Sequence, residues 1–166
     1  MTPSPPESYF QYEKLLVGLV QAGVDFAAVG GVAVSLNGFV RATDDVDIIV
    51  QASPDNIGKL LTCLAGWGEG WARELKVEDF ALQEGSIRVV EDFDLDIFTR
   101  MRGQTLDDFR PRLRYLEAGG VRIAYLAPED LIFLKQGSWR KKDQLDVAAL
   151  RRIMGNVPEG SGEDRA

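Results

Sequence analysis

The chain has 166 residues, a formal net charge of −7, 45% apolar residues and 27% charged residues. That length accommodates one domain with a real core and not two ordinary ones, and the composition is that of a folded globule. The excess of acid excludes a broad nucleic-acid surface, which needs Lys and Arg to neutralise phosphates, though not a nucleic-acid end presented locally.

In chain order, Pro3-x-Pro5-Pro6 reads as a flexible leader over residues 1–7, ahead of a single domain over 8–156 and a Gly- and charge-rich, disordered tail over 157–166. A first helix is predicted from Glu7 to Ala22, with Leu15, Leu16, Leu19 and Val20 on one face and Gly23 closing it. A strand over Asp25–Val29 then breaks into a short helix over Gly31–Asn37, and a second strand spans Val46–Gln51. Ser53-Pro54 supplies a cap and first turn for a helix to Ala65. Gly66 to Gly70 punctuates the chain, and Trp71–Leu82 fits no single period. Strands follow at Ile87–Val90, Asp94–Phe98, Leu113–Glu117 and Val121–Leu126, with Ala118-Gly119-Gly120 turning the last pair. Pro128 opens a helix to Gln136, and Lys142–Met154 forms the last helix.

Histidine is absent and there is one cysteine, Cys63. The first fact removes His-based acid–base chemistry, Ser-His triads and His-ligated zinc, leaving carboxylates as general bases. The second rules out an internal disulfide, and Cys63 sits in an apolar helical pattern that reads as core. No apolar run approaches the roughly 20 residues of a membrane helix, and Met1–Tyr9 lacks the regions of a signal peptide, so no membrane association and a cytoplasmic location are expected. Basic residues cluster at Arg100/Arg102, Arg110/Arg112/Arg114, Arg140-Lys141-Lys142 and Arg151-Arg152. These fit either a solvated face or a polyanion contact.

Chemistry concentrates in two places. Gly30-Gly31 lies where a buried strand breaks into a helix, and glycines there let a polyphosphate approach the backbone and the free amides of the first helical turn. Asp45 and Asp47 stand two apart on a strand and project from one face, an arrangement suited to a divalent metal shared with substrate phosphates. Asp92-Phe93-Asp94-Leu95-Asp96 again alternates acid and apolar, setting Asp94 and Asp96 on one face and Phe93, Leu95 and Ile97 on the other. Taken singly, paired glycines are usually a tight turn and Asp-x-Asp is usually a wet sheet face. Two apolar strands that both carry acids, however, bring like charges together, which requires a cation.

The run Gly30-Gly31-x-Ala33, Gly38-x-x-Arg41-x-Thr43-x-Asp45-x-Asp47-Ile48 resembles the signature of the nucleotidyltransferase, or polymerase-beta-like, superfamily. More narrowly it resembles small bacterial nucleotidyltransferases of abortive-infection and toxin–antitoxin systems. Leu126-x-Pro128-Glu129-Asp130-Leu131-Ile132-x-x-Lys135, with Arg140-Lys141-Lys142-Asp143-x-x-Asp146, is similar to that group's closing motif. The resemblance implies an α+β (α/β) fold, a mixed sheet flanked by helices in one domain. It implies transfer of a nucleoside monophosphate from a nucleoside triphosphate to a hydroxyl acceptor, with release of pyrophosphate. Asp45 and Asp47 match the metal pair and Asp96 the third carboxylate, with Asp94 as the fallback; two Mg²⁺ ions are implied, with Mn²⁺ able to substitute. Gly30 and Gly31 match the phosphate turn, with Gly31 standing where many relatives have serine. Arg41, Thr43, Lys135, Arg140 and Lys142 match positions near the nucleotide.

The acceptor stays open among an RNA end, a protein hydroxyl and a small molecule. The rival expectation is a catalytically silent binding module, an antitoxin or regulatory partner of another protein. A Rossmann-type enzyme is disfavoured because the third glycine of Gly-x-Gly-x-x-Gly is missing. Trp67, Trp71 and Trp139 are candidates for base stacking, although large aromatics usually fill cores.

Overall fold

The computed structural model describes residues 7–155, so the expected leader up to residue 6 and the expected tail lie outside the described residues, while Glu7 opens the first helix. Among the described residues six α-helices flank a six-stranded mixed sheet: α1 (Glu7–Gln21), β1 (Phe26–Val29), α2 (Gly30–Leu36), β2 (Asp45–Val50), α3 (Pro54–Ala65), β3 (Ser86–Val90), β4 (Asp94–Phe98), α4 (Leu106–Phe109), β5 (Arg114–Ala118), β6 (Val121–Tyr125), α5 (Pro128–Lys135) and α6 (Lys141–Gly155). The strand order is β3-β4-β2-β1-β6-β5. β2 runs parallel to β4 and antiparallel to β1, and β1 runs parallel to β6.

The alternation read from the sequence assigns residues to two apolar layers. On one face, Phe26, Ala28, Val46, Ile48, Val50, Leu95 and Ile97 pack with Leu15, Leu16 and Leu19 of α1 and Ile57, Leu60 and Leu64 of α3. On the other, Ala27, Val29 and Ile49 pack with Ala33, Val34, Leu106, Phe109, Leu131 and Leu150 of the remaining helices. Since side chains alternate along a strand, Asp45 and Asp47 of β2 and Asp94 and Asp96 of β4 belong to this second face, at the N-terminal ends of both strands. Helices α5 and α6 cover it.

Local signals hold where the turn chemistry is strong. Ser53 accepts a hydrogen bond from the Asn56 amide at 3.2 Å and Pro54 opens α3. Gly119 and Gly120 take φ of +56° and +78° in the β5–β6 hairpin, a backbone that favours glycine. The stretch from Trp71 resolves into two short 3₁₀ turns, Trp71–Glu74 and Val77–Asp79. Helix α4 and the 3₁₀ turn after it were not expected. Their signal was a capping box, in which the Thr105 amide and hydroxyl both donate to Asp108.

Among the described residues no buried side-chain polar atom lacks a partner. Several basic positions prove to be structural: Arg110 pairs with Asp25 and Asp107, Arg112 with Asp130, and Arg100 with Glu84. Trp67 stacks against Phe93 with centroids 5.3 Å apart, as a core aromatic does. Cys63 is free, and burial pushes its thiol pKa up. No described helix is long and apolar enough to cross a membrane.

Candidate active site

β1 ends at Val29, whose register partner on β2 is Asp47. The chain then turns at Gly30, with φ of +60°, so close to Asp47 that a Cβ there would overlap the carboxylate. A Cβ on Gly31 would lie 2.9 Å from Thr43 Oγ1 and 3.1 Å from Arg41 Nη2. Both glycines are therefore required by close approach: they let the 41–47 segment fold down against the start of α2. Thr43 closes that segment by donating its hydroxyl to the Asp45 carbonyl at 3.0 Å.

The parallel β2–β4 pairing sets Asp47 beside Asp96 and Asp45 beside Asp94. Asp96 is buried, with 5% of its surface exposed. Burial first, then the charges of Asp96 and Asp45, push the Asp47 carboxyl up from 3.8 to about 7, and a hydrogen bond to Asp96 that only the protonated acid can donate adds to this. The repulsion expected from the sequence is thus present, and the structure answers it with a cation the sequence reading did not use. Arg88 of β3 stands opposite Asp96 in the β3–β4 register. It grips both carboxylate oxygens at 2.8 Å and donates to Asp94 at 3.1 Å. Among the described residues no group of three or more acidic or cysteine side chains stands close enough together to hold one metal ion as they lie.

Gly30, Gly31, Arg41, Thr43, Asp45, Asp47, Asp96, Lys135, Arg140 and Lys142 all line one cleft of about 320 Å³, together with Arg88 and Asp143. The fallback acid, Asp94, does not. Residues from opposite ends of the chain meet here through one buried carboxylate. Asp146 of α6 is fully buried and receives Arg41 Nε and Nη2 at 2.7 Å each, with Lys135 Nζ at 3.1 Å. Lys135 also reaches Asp143 at 3.1 Å. Burial acts to raise the Asp143 pKa, but hydrogen bonds from Ser138 and Lys135 and the charges of Lys135 and Arg140 outweigh it and hold the carboxyl below its ordinary value. Arg41 and Lys135 therefore reach the cleft as cations already oriented by acids, a fixed geometry that a solvated side chain lacks.

Two residues central to this arrangement were given no role from the sequence. Arg88 was findable: the short turn between β3 and β4 fixes a register that puts residue 88 across from residue 96. Asp146 stands in the closing motif three residues after Asp143, on the same helix face, but only burial reveals its function. Trp139, which precedes Arg140 in the chain, is 88% exposed and is not among the residues that line the cleft.

The sequence matches the family described as "Nucleotidyltransferase of unknown function (DUF6036)" over residues 13–154. The chain belongs to this family. A search of curated proteins returned no match. Among solved structures, this family member is similar to the lincosamide antibiotic adenylyltransferase LnuA with lincomycin bound, at TM-score 0.60 and 16% identity over 91% of this chain and 99% of that one. It is similar to the antibiotic-resistance factor ANT(2'')-Ia, at TM-score 0.55 and 13% identity over 88% and 85% of the two chains. An antigenic nucleotidyltransferase-like protein from Paracoccidioides brasiliensis gives TM-score 0.53 and 17% identity over 85% and 73%. Identities this low speak to the fold, which is the nucleotidyltransferase one: a single α+β domain with a mixed sheet.

Proposed function

We propose that this chain is a metal-dependent nucleotidyltransferase that moves a nucleoside monophosphate from a nucleoside triphosphate to a hydroxyl acceptor. The observation that carries the reading is the meeting of Asp45, Asp47 and Asp96 in one cleft walled by the Gly30-Gly31 backbone. The donor chemistry suits a hard divalent cation: three carboxylates lie on adjacent strands, and burial first, then the charges of Asp96 and Asp45, raise the Asp47 carboxyl to about 7, a strain that a cation would relieve. Asp45, Asp47 and Asp96 would hold Mg²⁺. Bound there, the metal supplies charge neutralisation for the triphosphate and for the developing alkoxide.

The chain's own groups do the positioning. The glycine turn lets the phosphate tail approach the backbone, and Arg41 and Lys135, fixed by Asp146, supply positive charge beside it, with Arg140 and Lys142 lining the same cleft. Asp96 orients the acceptor hydroxyl and takes its proton. The oxygen attacks the α-phosphorus, the bond to the β-phosphate oxygen breaks, and pyrophosphate leaves with that electron pair. Such transfer needs little beyond alignment and charge, which suits a small site with no histidine.

The test needs no acceptor. Thermal unfolding is followed with each of the four nucleoside triphosphates, with and without Mg²⁺, for wild type and Asp45→Asn. A ligand at about 100 times its dissociation constant adds roughly 2.7 kcal/mol, a shift of several degrees. The expected result is a Mg²⁺-dependent shift in wild type that the variant loses. No shift with any nucleotide sinks the proposal.

A further inference from the structure

The transfer chemistry leaves Arg88 without a task. Its guanidinium closes on both Asp96 oxygens, Nε to Oδ1 and Nη2 to Oδ2, each at 2.8 Å. The same group donates to Asp94 at 3.1 Å and stands 3.8 Å from Asp45. One side chain thus touches three of the four acids that β2 and β4 bring to this face. At Asp96 it uses the two oxygens that a metal would need.

The two partners differ in freedom. The Asp96 side chain is 8% exposed and rooted on an inner strand, whereas the Arg88 side chain is 50% exposed on the outermost strand. Arg88 can swing into solvent without disturbing either apolar layer, and Asp96 cannot leave. When a second cation arrives, Arg88 is the group that yields.

We propose that Arg88 is a built-in counter-ion of the metal site: it neutralises Asp96 while no metal is present and is displaced when one binds. The inference rests on the assignment of Asp96 as a metal ligand. Apparent metal affinity is then the intrinsic affinity multiplied by the fraction of time that Asp96 is free of Arg88, as for any site whose competent state is partly populated. A metal carried by a triphosphate brings further contacts to the glycine turn and the Arg41–Lys135 pair, so it displaces Arg88 more readily than the bare ion does. The consequence is an ordered site, which free Mg²⁺ enters only weakly and the metal–nucleotide complex completes.

Mn²⁺, whose free form is read by electron paramagnetic resonance, is titrated into the full chain without nucleotide, in wild type, Arg88→Gln and Arg88→Lys. Glutamine removes both the charge and the grip. Lysine keeps the charge but lacks the planar fork that holds two oxygens at once. Both variants are expected to bind Mn²⁺ more tightly than wild type, the glutamine form by about tenfold or more. In wild type, the Nε–H resonance of Arg88 is expected to be protected from exchange without metal and to lose that protection at saturating Mg²⁺. A gain confined to Arg88→Gln overturns the proposal, because it reports only the charge removed. Equal or weaker binding in both variants, or an Arg88 resonance that stays protected at saturation, also overturns it and leaves the metal assignment standing. No Mn²⁺ binding in any of the three proteins overturns both.

Discussion

Asp47→Asn should make the metal-free protein more stable while abolishing turnover. In the folded chain the Asp47 carboxyl is raised from 3.8 to about 7 by burial and by Asp96 and Asp45. At about 1.4 kcal/mol per pKa unit that shift sets a ceiling on the order of 4 kcal/mol of destabilisation at neutral pH. Because Asp47 is only partly removed from solvent, about 2 kcal/mol is the figure to expect, or roughly 4–8 °C in a domain of this size. The sign follows from proton counting. Between pH 3.8 and about 7 the native state holds a proton on Asp47 that the unfolded chain has already released. Stability therefore falls as pH rises through that window, and the whole loss is present above it. Asparagine cannot ionise, so its advantage is near zero at about pH 4 and complete by about pH 8. Urea unfolding of both proteins in chelator at the two pH values measures this. A variant less stable than wild type at the higher pH, or an advantage equal at both, would refute the argument that repulsion is stored at this site.

Two further perturbations test the supports of the cleft. Asp146→Ala leaves Arg41 and Lys135 without their fully buried partner, and breaking such a buried pair costs about 3–5 kcal/mol; an unfolding free energy from urea titration that drops by less than about 1 kcal/mol would contradict it. Gly30→Ala forces a Cβ into the Asp47 carboxylate at φ of +60°. It should cost about 1–3 kcal/mol and remove the Mg²⁺-dependent nucleotide shift in thermal unfolding, whereas an unchanged shift would show that the turn is not part of the site.

Much of this was legible in local pattern. The alternation in Val46-Asp47-Ile48 and in Phe93-Asp94-Leu95-Asp96 determines which side chains share a face, since a pleated strand has period two and a one-residue slip would bury the acids among the apolar layer. The capping residue before α3 and the paired glycines of the last hairpin set their turns for reasons confined to a few residues. The short helix after Phe98 was missed because four residues carry no period to read, and only the Thr105–Asp108 box marks it. The 3₁₀ turns after Trp71 escaped for the same reason.

Local pattern and composition alone dictate that the acids face one way, that glycines stand where the first strand breaks, and that histidine chemistry is absent. They do not determine neighbours. That β2 lies parallel to β4, setting Asp47 against Asp96, is a choice among strand orders made by burying both faces of the sheet at once. That Arg41 meets Asp146 across 105 residues of chain follows from docking α6 over the second apolar layer. Periods and turns are encoded within a few residues of themselves, because they answer to local sterics. The contacts that make the cleft are long-range, and only the burial of the whole core selects which distant charges come to share it.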